Sequence, residues 1–108
     1  MTVQFKGYAV RSGDLWWSQR QHSFMDTPDE SSFTPTKYGS TVLRISRRIK
    51  QLTKEIEFHK SFYTDEYIKS NRNLTRAGVD AGLTRTQKKL DLWQNARVVE
   101  TTLNVTEV

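Results

Sequence analysis

The sequence predicts an α+β protein: an N-terminal β-hairpin, a long amphipathic helix, a short second helix, and a C-terminal strand completing a small antiparallel sheet. Three observations predict it. Residues 3–18 hold two β-rich runs around a turn, residues 41–63 carry an apolar seam of helical period, and residues 97–108 return to Val and Thr. Segregated strands and helices pack as layers, with the helices on one sheet face. A length of 108 residues suits one domain over 1–108.

The hairpin reads from Val3 to Ser18. Val3-Gln4-Phe5-Lys6-Gly7-Tyr8-Ala9-Val10 is rich in β-branched and aromatic residues, Ser12-Gly13-Asp14 supplies the turn, and Leu15-Trp16-Trp17-Ser18 returns. Neighbouring strand residues face opposite ways, so only one of Trp16 and Trp17 belongs to the core. Residues 19–36 look irregular, broken by Pro28 and Pro35, with a short edge strand at Phe33-Thr34.

Val42, Ile45, Ile49, Leu52, Ile56, His59 and Tyr63 step by three and four, a heptad seam with one polar member. This predicts a helix from about Ser40 to Tyr67, capped by Ser40 or Thr41. Asn71, Asn73, Gly78 and Gly82 predict a loop over 70–83. Thr84 with Gln87 has the capping-box pattern, so the second helix is expected from Thr84 to about Asn95, turning Leu90 and Trp93 inward. In the closing strand, Val99, Leu103 and Val105 share a side. Few apolar residues besides Leu90, Trp93 and the strands compete to cover the seam, which predicts a homodimer or higher oligomer.

Composition narrows the function. Cysteine is absent, which removes disulfides, thiolate metal sites and a catalytic thiol. No apolar run is long enough to span a bilayer and the N-terminus lacks a signal-peptide core, so a cytoplasmic location is expected and no membrane partner. His22 and His59 have no second ligand at helical spacing, and neither a nucleophile elbow nor a phosphate loop is present. Asp26, Asp29 and Glu30 lie in a Pro-containing loop and read as solvated. Gly78 to Arg85 has the flavour of a helix-turn-helix turn, but Lys88 and Asp91 follow where apolar packing residues belong. The expectation is a binding protein without catalysis, metal or cofactor.

The net charge of +5 points to an anionic partner. Between Ser31 and Lys54 no acidic residue occurs, while Lys37, Arg44, Arg47, Arg48, Lys50 and Lys54 do. Guanidinium forks suit phosphate. The expected site joins Arg44, Arg47 and Arg48, for phosphate, to Tyr8, Trp16 or Trp17, for stacking on a base, with Arg11 or Arg20 closing it.

The stretches Tyr8-Ala9-Val10-Arg11-Ser12-Gly13-Asp14-Leu15-Trp16-Trp17, Phe33-Thr34-Pro35-Thr36-Lys37-Tyr38-Gly39-Ser40 and Trp93-Gln94-Asn95-Ala96-Arg97-Val98-Val99-Glu100 give a layout that resembles small bacteriophage accessory proteins. Among these are nucleotide sponges of the Thoeris anti-defence type. The resemblance implies a counter-defence protein, oligomeric, that sequesters a nucleotide immune signal in the host cytosol. It transfers no site residue. The alternatives are a nucleic-acid-binding accessory protein, which fits the arginine run and Lys88-Lys89, and an inhibitor docking on a host protein.

Overall fold

The computed structural model describes residues 2–35 and 38–106, with the backbone alone for 2–5, 40, 103, 105 and 106. In chain order its elements are β1 (Thr2–Ser12), β2 (Leu15–Ser18), β3 (Ser23–Met25), a 3-10 turn (Glu30–Ser32), α1 (Tyr38–Phe62), α2 (Asp65–Ser70), α3 (Arg76–Gln94) and β4 (Ala96–Thr106). The strands form one antiparallel sheet in the order β3-β2-β1-β4. The predicted α+β class is that of the molecule; β3 and α2 add to the predicted elements, and the helix before β4 is longer than expected. The chain forms two compact units, Met1–Ser46 with Asn95–Val108, and Arg47–Gln94.

The first unit is built on the sheet. Gly13 closes the hairpin with φ +58, a conformation that glycine adopts without strain. β1 and β4 pair in unbroken register from Thr2 opposite Thr106 to Ser12 opposite Ala96. Ser12 also pairs with Leu15, and Arg11 with Trp16. Alternation therefore puts Tyr8, Val10, Leu15 and Trp17 on one face, and Ala9, Arg11 and Trp16 on the other. Ala9, Val10 and Trp17 are buried. The expected shared side of Val99, Leu103 and Val105 falls partly outside the described residues, since only Val99 has a described side chain.

The segment 19–36 is more ordered than expected. Ser23–Met25 forms a third strand, pairing Trp17 with Phe24, whose rings sit 5.3 Å apart. Three residues are too few to show a period. The turn before it places His22 at φ +50, a region that His tolerates better than most side chains. The predicted edge strand at Phe33-Thr34 is a single bridge: Tyr8 and Thr34 exchange backbone hydrogen bonds of 2.8 and 2.9 Å.

The second unit is helical, and the ends of α1, which begins in the first unit, and of α3 correct three expectations. α1 begins at Tyr38, so Ser40 and Thr41 lie inside it, and the residue before it is outside the described residues. α1 stops at Phe62 rather than Tyr67, because Thr64 accepts a hydrogen bond from the Tyr67 amide and caps a new helix with Asp65 and Glu66 in its first turn. α3 starts at Arg76, not Thr84. The Thr75 hydroxyl accepts from the Gly78 amide at 3.1 Å and is the true cap, while Thr84 sits mid-helix. The expected loop over 70–83 is thus mostly helix, and residues 78–85 contain no turn.

Leu52 and Ile56 of α1 and Val79, Leu90 and Trp93 of α3 are the buried apolar residues of this unit. The helices run antiparallel, since His59 meets Val79 and the Arg48 guanidinium lies 5.9 Å from the Trp93 ring. The middle of the seam is therefore buried within one copy of the chain.

Candidate functional site

The predicted site residues distribute over both units. In the sheet unit, the register separates the expected stacking residues. Trp17 is buried against Phe24, and Tyr8, on the same face, packs edge-on to Tyr38 at 6.0 Å. On the opposite face the Arg11 guanidinium lies 4.3 Å from the Trp16 ring centre, and Phe33 packs against Trp16 at 5.9 Å. Trp16 already carries two partners, so it holds Arg11 in place and offers little free ring to a base. Arg20 pairs with Glu30 at 3.8 Å.

Arg97 is a residue that sequence reasoning missed. It stands directly across the ladder from Arg11, on the same face, with Nη2 3.3 Å from the Gly13 carbonyl oxygen. Like charges opposite each other on a sheet repel. The Arg11 Nε is buried without a hydrogen-bond partner, and its Nη2 reaches Asp14 only at 3.9 Å. Only the pairing of β1 with β4, invisible in the sequence, brings the two arginines together.

The acidic loop is structural. The Asp29 carboxylate accepts from the hydroxyls of Ser18 at 2.6 Å and Ser31 at 2.5 Å and from the Ser31 amide at 2.9 Å. Those bonds, first the one from Ser18, hold its pKa below the ordinary value of 3.8. Ser18 is fully buried. The cluster ties the loop to β2, so Asp29 is a bonded structural carboxylate rather than the solvated one expected.

Arg44, on the part of α1 within the sheet unit, and Arg47, at the start of the helical unit, are exposed. Arg48 is half-buried, placing its guanidinium near Trp93 and donating to Gln51 at 3.4 Å.

The helical unit holds features the sequence did not reveal. Phe58 and Phe62 stack at 5.3 Å with 18° between their planes, and Tyr67 of α2 lies 4.7 Å from Phe62. All three are exposed. An open groove of about 490 Å³ runs beside them, with Lys54, His59, Tyr63 and Thr86 in its lining. A second, of about 360 Å³, has Lys60 on one side and Lys88 on the other. Among the described residues, no group of three or more His, Asp or Glu is placed to hold a metal, and no helix is long and apolar enough to cross a membrane.

Comparison with family models, characterised proteins and solved structures finds no match to this chain.

Proposed function

We propose that this protein binds a nucleic acid through its helical unit and performs no chemistry on it. Charge segregation carries the reading. The helical unit holds eleven Lys and Arg against six Asp and Glu, while the sheet unit holds six of each, so the whole net charge of +5 belongs to residues 47–94. Basic side chains spread over all three helices of the unit suit a repeating line of phosphates. The grooves of this unit are open, which fits a polymer lying on a surface better than a small ligand, which is usually enclosed over most of its own surface.

A second reading, sequestration of a phosphorylated nucleotide, is favoured by Arg11 and Arg97. Two facing guanidiniums, one of them braced by Trp16, form a pair that a phosphate would relieve of its mutual repulsion. In that reading the phage counter-defence role and an oligomeric assembly remain the proposal.

One pair of measurements separates the two. Fluorescence anisotropy with RNA and DNA should show complexes at low salt whose affinity falls linearly on a log–log plot against salt concentration. Calorimetry with cyclic dinucleotides and cyclic ADP-ribose isomers should be silent. No complex at low salt, together with nucleotide heat that Arg11→Ala removes, replaces the first reading with the second.

A further inference from the structure

The nucleic-acid reading above can be narrowed to one form of the partner, and the inference rests on that reading. Lys50, Lys54, Phe58 and Phe62 follow one another at intervals of four on α1, so they form a single ridge along the helix. All four are exposed, Phe58 at 62% and Phe62 at 42%. Tyr67 adds a third ring beside Phe62, at 36% exposure. Clustered exposed aromatics of this kind mark a contact surface.

Charge beside the rings identifies the occupant. Lys50 and Lys54 make no ion pair among the described residues. Of the nearby acids, Glu55 accepts from the Gln51 amide at 3.3 Å and Asp65 is paired with Arg76, while Glu57 and Glu66 are exposed. Cationic side chains leading into stacked flat rings match a chain that presents phosphates and bare base faces together. A duplex hides those faces inside its own stack, whereas a single strand offers every one of them. From Lys50 to Phe62 the ridge runs about 18 Å, at roughly 1.5 Å per residue, enough for a few nucleotides.

We infer that the helical unit takes single-stranded nucleic acid, its bases stacking on Phe58 and Phe62 while Lys50 and Lys54 hold its phosphates. The groove between Phe58, His59 and Thr86 lies beside the ridge and has room for a splayed base.

The test uses the full chain with fluorescently labelled single strands and the matching duplexes, DNA and RNA, in low salt. Single strands should bind at least about tenfold more tightly than duplex. Phe58→Ala and Phe62→Ala should each weaken single-strand binding by about 5- to 150-fold, leaving duplex binding unchanged and the chain folded at the assay temperature. Phe58→Leu, which keeps apolar bulk but loses the flat face, should lose similar affinity. Lys54→Ala should flatten the salt dependence by about 0.7 in slope. Equal binding of both forms, untouched by the Phe variants, overturns this inference and leaves the nucleic-acid reading standing. No binding of either form sinks both. Sedimentation showing a dimer that Phe58→Ala dissociates, without nucleic-acid binding, makes the patch an interface between copies and overturns the inference as well.

Discussion

The Nε2 of His59 lies 3.0 Å from the carbonyl oxygen of Val79, a bond across twenty residues of sequence. A carbonyl only accepts, so Nε2 carries the proton and donates. The bond fastens the end of α1 to the beginning of α3. His59 also packs against Tyr63, with ring centres 4.7 Å apart. The one polar residue of the seam is thus a fastening between helices.

His59→Leu keeps apolar volume but removes that donor. It should cost about 1 kcal/mol, the usual net worth of such a bond, read as a lower denaturation midpoint at unchanged m-value.

Gly82 lies next to that ring. A Cβ placed there would meet His59 Cε1 at 3.5 Å, an ordinary contact, and its helical backbone needs no positive φ. Gly82→Ala should therefore gain close to the full helix-propensity difference, about 1 kcal/mol, and raise the melting temperature.

The two candidate caps of α3 respond oppositely. Thr75→Ala removes the hydroxyl that accepts from Gly78 and should cost about 1 kcal/mol. Thr84→Ala, an exposed mid-helix change to a better helix former, should be neutral or slightly stabilising. Paired thermal melts check the order of the two effects.

Asp29 makes stability depend on acid. Its folded pKa is lowered by the hydrogen bonds of Ser18 and Ser31, so the stability it contributes is present above the unfolded value near 3.8 and is lost as pH falls through the folded value. Melting temperatures followed downward from about pH 5 should drop, and Asp29→Asn, which loses acceptor capacity towards Ser18, should melt lower at neutral pH with a shallower acid dependence.

The two adjacent tryptophans should differ sharply. Trp17 is 6% exposed and packs on Phe24, whereas Trp16 is half-buried. Trp17→Ala should cost about 3–5 kcal/mol. Trp16→Ala should cost about 1–2 kcal/mol, mostly the loss of its contacts with Arg11 and Phe33. Chemical denaturation of both variants measures the gap.

The separation of Trp16 from Trp17 was legible in the sequence because strand alternation is local, and Gly13 announced its turn for the same reason. The seam through Leu52 and Ile56 was legible as helix. Its end was not, because Tyr63 continues the spacing across the break that Thr64 imposes. The start of α3 was hidden by Gly78 and Gly82, whose poor propensity is outweighed by the burial of Val79 and the contact at His59. Thr84 and Gln87 then supplied a cap pattern with no helix end to cap. The candidate site was less legible still. Tyr8, Arg11 and Trp17 look like neighbours in sequence, yet their faces depend on the register of β1 with β2, and Arg97 joins Arg11 only through β4. The concentration of charge in residues 47–94 becomes visible only once the units are known, and the Phe58–Phe62 patch lies off the seam that drew attention to α1.

The ladder that sets Thr2 opposite Thr106 also decides when the sheet can form. Residues 47–94 are contiguous and make largely local contacts, which assemble quickly. β4 leaves the ribosome only after all three helices, so β1 waits for its partner through their synthesis. Throughout that interval one long edge of β1 lacks its strand, and such an edge is a template for pairing with another nascent chain. A translational pause before residue 96 would leave the helices able to assemble and the β-rich N-terminus exposed to a neighbour on the same message.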